Sequence, residues 1–255
     1  MKILMLAQDG NSTAIVYNKL KEVFHDINII IEQPVDRKTF LKRRIKRLGI
    51  WKVIGQIAFV LFEKIYLKPK AKKRMQEIQK ECGISYARNY INLDSTYYVN
   101  SVNSEECRSL MREISPDIVV VNGTRIIDES TIKCLCVPVI NMHMGITPRY
   151  RGVYGAYWAL TQGDGEHCGV TIHVVDEGID TGKILAQGII EVTKKDNFVI
   201  YPYLQASVGV GLEVKVINEY FQKGTMEYIN NHLDSKLWTH PTLGEYFYFR
   251  RKGVK

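Results

Sequence analysis

The chain has 255 residues, 45% of them apolar and 24% charged, with a net charge of +8. That balance describes a soluble globular protein able to bury a full core, and it excludes a disordered chain. Five cysteines with no Cys-x-x-Cys spacing argue against a disulfide framework, and Met1–Ala7 is too short an apolar run for a signal peptide. A cytoplasmic location is the expectation.

Lys2–Ala7 reads as a first, central strand. It feeds Gln8–Thr13 and then a helix through about Val23. Gly10 supplies a turn, and Asn11, Ser12 or Thr13 a helix cap, so free backbone N–H groups could bind an anion there. The same residues also describe an ordinary capped turn. Ile27–Ile31 is a second strand.

Charge then becomes lopsided. Residues 36–80 hold 15 Lys/Arg against 3 Asp/Glu, a net of +12, whereas the rest of the chain holds 20 against 24, a net of −4. Within this basic insert Ile50, Val53, Ile54, Ile57 and Leu61 recur at helical spacing and predict an amphipathic helix. Lys52, Glu63 and Lys64 leave no run of about 18 apolar residues, so it is not a membrane span. The insert reads as a helical arm packed on the core or on a partner subunit of a homodimer, or as a surface for an anionic substrate or membrane headgroups. Nucleic acid is disfavoured, because Trp51, Phe59 and Phe62 lie in the apolar part rather than among the arginines.

A helix from about Ser104 to Ile114 precedes a buried strand, Asp117–Asn122. The apolar run Val137–Ile140 is another strand, and it ends in Asn141-Met142-His143. Alternate strand residues share a face, so Asn141 and His143 project together and Met142 points away. Gly169–Val175 is a further strand, and the loop after it carries Asp180, 37 residues beyond His143. Alternating strands and helices predict an α/β fold with a doubly wound, mostly parallel sheet, and ligands in such sheets bind beyond the strand carboxyl ends. Residues 1–200 would form the catalytic domain, interrupted by the 36–80 insert. Residues 201–255 would add a helix from Tyr203 to Gln222, weakened by Gly209 and Gly211, and an aromatic and basic tail from Trp238 to Lys252.

An amide donor, an imidazole and a carboxylate can polarise a carbonyl, stabilise its oxyanion and accept a proton. By itself an Asn-x-His at a strand end is more often a satisfied polar pair. The surrounding string is more specific. Asn141–Gly152, Tyr157–Leu160, Gly169–His173 and Asp180-Thr181-Gly182 together resemble the formyltetrahydrofolate-dependent formyltransferases, most closely those acting on nucleotide sugars. The resemblance is dense from about 117 to 190 and fades after 200.

That resemblance implies a Rossmann-like formyltransferase fold and transfer of a formyl group from the co-substrate 10-formyltetrahydrofolate to an amine. Asn141 would donate its amide N–H to the formyl oxygen. His143 would face the same oxygen, protonated with the help of Asp180, and Asp180 would accept the amine proton. His173 would orient Asp180. Thr124, Arg125, Ile126 and Ile127 match the loop that cradles the pterin through backbone groups. Gly10, Asn11 and Ser12 match a substrate-phosphate loop. Arg149 and Arg151 fit either substrate contacts or a structural role, and Asp176 and Glu177 fit turn formation beside Gly178. No metal cluster, Walker loop or Ser–His–Asp arrangement is present. Too few residues follow 200 for the barrel domain of tRNA-formylating relatives, which leaves a nucleotide-linked amino sugar as acceptor, glycinamide ribonucleotide as the alternative, and a membrane-face scaffold as a third reading.

Overall fold

Ile3–Ala7 are all fully buried, so both faces of the strand that holds them must be covered. In the computed structural model, which describes Met1–Lys255, that strand is β1 (Lys2–Gln8). It is followed by α1 (Asn11–Val23), β2 (Asp26–Glu32), α2 (Arg37–Leu48) and α3 (Ile50–Phe62). A π-helical turn over Glu63–Leu67 joins α3 to α4 (Lys68–Cys82). Then come β3 (Thr96–Val99), α5 (Glu105–Ile114), β4 (Ile118–Asn122), α6 (Glu129–Ile132), β5 (Val139–His143), β6 (Arg151–Gly152) and α7 (Gly155–Thr161). The last elements are β7 (Gly169–Val174), β8 (Ile184–Ile189), α8 (Tyr201–Lys223), β9 (Leu237–Trp238) and α9 (Leu243–Arg251).

Seven strands form one sheet in the order β3-β2-β1-β4-β5-β7-β8. The first five are mutually parallel, as the alternation of strands and helices predicts. β7 is antiparallel to both its neighbours and is the only reversed strand of the seven. The chain leaves β1 for β2 and β3 on one side and returns to β4 on the other, which opens a crevice beyond the carboxyl ends of β1 and β4.

Side-chain alternation along β1 divides the core. Ile3, Met5 and Ala7 join a cluster of 43 buried residues with α1, α7 and α8, while Leu4 and Leu6 join a cluster of 12 beneath α5. The larger cluster takes in Phe59, Leu67, Ala71 and Ile78 of the insert, and Leu204, Val210 and Ile217 of α8, so both segments are built into the core. Gly209 has a packing reason: a Cβ there would lie 2.3 Å from Met142 Sδ and 2.9 Å from Val170. Its absence lets α8 run unbroken against β5 and β7.

Two local expectations are corrected. α1 is capped by the backbone of Gly10 and not by an Asn11, Ser12 or Thr13 side chain; Thr13 lies inside the helix and donates to the Gln8 carbonyl. In α3 the buried side is Val53, Gln56 and Phe59, whereas Ile50, Ile54, Ile57 and Leu61 face solvent. Apolar residues occupy both sides of this helix, so period alone could not say which side is covered.

Glu213 of α8 is fully buried and neither carboxylate oxygen has a partner. Burial pushes its acid up to about 8, against an ordinary value of 4.5. The folded state therefore prefers the protonated acid, and the stability this gives is complete below pH 4.5 and is lost as pH rises through 8. Glu213→Gln should gain stability over the native chain by a few kcal/mol on the order of magnitude at pH 9 relative to pH 5. Urea unfolding midpoints at the two pH values check this, and an equal difference at both would contradict it.

Candidate active site

A cavity of about 1150 Å³ occupies the crevice, lined by Gln8 and Asn122 from the β1 and β4 ends, by Ser12 of α1 and by Asn141 and His143 of β5. Asp180 closes one side. Because β7 is reversed, its carboxyl end lies low in the sheet, where Val175 N–H donates to Val139 O at 2.7 Å. The following loop must climb back to bring Asp180 to His143. Asp176 holds its turn by accepting from Gly178 N–H at 3.1 Å and from the Thr181 hydroxyl at 2.8 Å, the role the sequence suggests for it. Gly182 allows the close return, since a Cβ would lie 1.7 Å from the Val174 carbonyl oxygen. Asp180 itself has φ +52°, a conformation Asp tolerates better than branched residues do.

The register of β5 on β7 places Asn141 opposite His173. His173 Nδ1 lies 2.8 Å from the Val174 carbonyl oxygen, which obliges that nitrogen to carry the proton and leaves Nε2 an acceptor. Asn141 Nδ2 is 3.1 Å from that Nε2 and donates to it. One amide N–H of Asn141 is thereby anchored and the other is free for the cavity. His173 Nε2 also lies 3.7 Å from Asp180 Oδ1. The expectation that His173 orients Asp180 is thus amended, because its tighter contact is to Asn141.

His143 is buried with both ring nitrogens facing acceptors. Nε2 is 2.7 Å from Tyr150 O, and Nδ1 is 3.3 Å from Asp180 Oδ2. Gly145 makes the first contact reachable: a Cβ there would meet Tyr150 O at 2.2 Å and His143 Nε2 at 2.8 Å. Burial pulls the His143 pKa below its ordinary value, outweighing the opposing pull of Asp180. Nε2–H is given to Tyr150 O, and the second proton of the expected protonated imidazole would sit on Nδ1, facing the Asp180 carboxylate. For Asp180, burial alone would raise the pKa, but His173, His143 and the Gly152 N–H donated at 2.8 Å hold the carboxyl below its usual range.

Of the other predicted residues, Thr124, Arg125, Ile126 and Ile127 all line the cavity. The Arg125 side chain is not free, however. Its Nε and backbone N–H both bind the buried Glu32 carboxylate at 2.6 Å, and its Nη2 donates to Gln33 O and Asn100 O at 2.9 Å. This clamp shapes the 123–127 turn. Ser12 lines the cavity but Gly10 and Asn11 do not; Asn11 donates to Tyr203 Oη at 3.3 Å. Neither Arg149 nor Arg151 lines it. Arg149 donates to Asp164 at 3.1 Å, and Asp164 also takes the Tyr150 hydroxyl at 2.7 Å and His167 Nδ1 at 2.6 Å, so the structural role open to Arg149 is the one observed. Arg151 sits on β6 paired with Leu237, and its Nε is buried without a partner.

The wall takes in part of the basic insert that reads as a surface for an anionic substrate, and it takes in residues that the sequence reading did not single out. Phe40, Arg43, Arg44 and Arg47 of α2 line the cavity, as do Tyr154 and the distant Trp238, Thr239 and His240. Arg44 Nε donates to Gln56 Oε1 at 2.8 Å, and Gln56 in turn donates to His240 O at 2.5 Å, so the insert and the C-terminal segment are tied at the mouth. Arg43 and Arg47 are exposed and form no ion pair. The charge excess of the insert was the only signal in the sequence for these residues.

The sequence profile of the formyl transferase family matches residues 2–201. The chain belongs to that family. Methionyl-tRNA formyltransferase from Halothermothrix orenii is 31% identical over 131 residues, 49% of this chain and 39% of that relative. The chain thus spans well under half the length of such curated relatives. The N-formyltransferase of Helicobacter canadensis, solved with folinic acid and dTDP-3-aminofucose, shares the fold at TM-score 0.56 and 19% identity, covering 93% of this chain and 71% of that one. Glycinamide ribonucleotide transformylase 1 of Symbiobacterium toebii does so at TM-score 0.56 and 15% identity, covering 93% and 95%.

The electrostatics of the site predict a depressed His143 titration. By NMR, His143 should titrate below 6.5 in the native chain, and lower still in Asp180→Asn, which removes the carboxylate that pulls it up. A value raised by that substitution would contradict the assigned pairing.

Proposed function

We propose that the chain transfers a formyl group from 10-formyltetrahydrofolate to the primary amine of a nucleotide-linked amino sugar. The observation that carries this reading is the projection of Arg43, Arg44 and Arg47 into the same cavity as Asn141, His143 and Asp180. A nucleoside diphosphate brings at least two negative charges near the reacting amine, and guanidinium groups match phosphate oxygens. Phe40, half exposed at the cavity wall with the Arg44 guanidinium 5.6 Å from its ring centroid, offers a face on which a base could stack. The 123–127 turn, which ends in apolar Ile127 and has Val121 beside it, suits the flat ring of the co-substrate. Five free cysteines and the absence of a helix long and apolar enough to cross a membrane fit a cytoplasmic enzyme.

The chemistry follows from the anchored donors. The neutral amine attacks the formyl carbon and the free N–H of Asn141 receives the developing oxyanion. Asp180 takes the proton that the amine loses, with His143 Nδ1 3.3 Å from its Oδ2. The bond from the formyl carbon to the folate nitrogen then breaks, and that nitrogen leaves with the proton that Asp180 returns. His173 acts through Asn141, by presenting its amide in one orientation.

Asn141→Ala, His143→Ala and Asp180→Ala should each lower turnover by roughly a hundredfold or more. Arg43→Ser with Arg47→Ser should instead raise the acceptor KM by roughly tenfold and leave kcat and the KM for 10-formyltetrahydrofolate near native values. Steady-state kinetics with a nucleotide-linked amino sugar measure both. Native turnover in Asp180→Ala would overturn the mechanism, and an unchanged acceptor KM would overturn the role of the arginines.

The rate should rise with pH as the acceptor amine loses its proton and then stay level toward pH 9, because burial places the His143 titration below that range. A fall above neutrality that follows the His143 titration would contradict this and make the protonated imidazole the working species.

A further inference from the structure

One surface of the insert has no part in the cavity. Along α3 and the turn after it, Ile50, Trp51, Ile54, Ile57, Leu61 and Ile65 are all exposed, Trp51 by 83% and Ile65 by 75%. Their spacing puts them on one side of the helix, opposite the buried Val53, Gln56 and Phe59. No charged residue interrupts this stripe. An uncovered apolar face of this extent is unusual on a soluble monomer and marks a contact surface. It continues onto α9, where the exposed Phe247 packs 5.3 Å from Phe62 and Phe62 stacks 5.1 Å from Tyr66.

The charges at its border decide what covers it. Lys64, Lys68, Lys70 and Lys73 are exposed at the end of the stripe, and Lys70 Nζ sits 3.8 Å over the Tyr66 ring. The 36–80 segment as a whole is +12. Two copies meeting through this face would bring like charges together. An anionic lipid surface would satisfy both parts at once, taking the apolar stripe between its headgroups and acyl chains and the lysines at its phosphates. The geometry points to α3 as an in-plane helix that docks this protein on anionic membranes. Such docking leaves the catalytic residues in water, because Asn141, His143 and Asp180 lie on the sheet and its loop rather than on α3.

Co-sedimentation of the full chain with large vesicles tests this. Binding should be strong with about a third phosphatidylserine in phosphatidylcholine, weak with phosphatidylcholine alone, and reduced by added salt. Trp51 fluorescence should shift to the blue on binding, and Trp51→Phe should abolish most of that shift. Ile57→Asp with Leu61→Asp should weaken vesicle affinity by about tenfold or more, without altering formyl transfer to a soluble acceptor. Both positions are exposed, so the fold should survive, which circular dichroism verifies. No binding to anionic vesicles, or equal binding by the double variant, would overturn the proposal. So would a dimer in sedimentation equilibrium that the double variant dissociates while vesicles are ignored, since the face would then belong to a second copy.

Discussion

The site depends on the antiparallel register between β5 and β7. It sets His173 opposite Asn141, and the Val174 carbonyl fixes the His173 tautomer. A register slip of one residue would turn Asn141 and His143 onto the opposite face and put Met142 in their place. The close packing of Met142 on Gly209 resists such a slip, because burying Asn141 there would leave its amide without partners. Core packing on one face of β5 thus sets the geometry of the polar face.

Electrostatic tuning rests on the same close packing. Gly145 and Gly155 approach so nearly that a Cβ on Gly155 would lie 2.4 Å from the Gly145 Cα. That contact holds the 144–155 loop against β5 and carries Tyr150 O to His143. Burial would strip both His143 and Asp180 of their charges, yet the two respond differently. Asp180 is held below its usual range by its histidine neighbours and the Gly152 N–H, while burial lowers the His143 pKa against the pull of Asp180.

Much of this was legible in the sequence because the parallel strands are buried on both faces. Runs such as Ile118–Val121 announce themselves by continuous branched apolar residues. Asn141 and His143 could be paired by period, and Asp180 joined them through the resemblance of the Asp180-Thr181-Gly182 string to the formyltransferases. The direction of β7 was not legible, since an apolar run reads alike in either orientation. The exposed side of α3 was hidden because Phe59 and Ile57 are equally apolar and only tertiary contacts distinguish them. The fate of Arg125 depended on Glu32, 93 residues earlier, and that of the α2 arginines on the path of the chain across the crevice. The basic composition of the insert foretold a surface for anions; which arginines turn inward is a matter of packing.

The acceptor reading joins the 123–127 turn to a basic helix, both on the wall of the cavity that holds Asn141. The most direct measurement supplies 10-formyltetrahydrofolate labelled with carbon-13 in the formyl group to nucleotide-linked amino sugars and to glycinamide ribonucleotide in parallel, and follows the label by NMR. The account predicts that the labelled carbon appears as an amide on the sugar amine. Label found only on glycinamide ribonucleotide, or only as free formate, would contradict it.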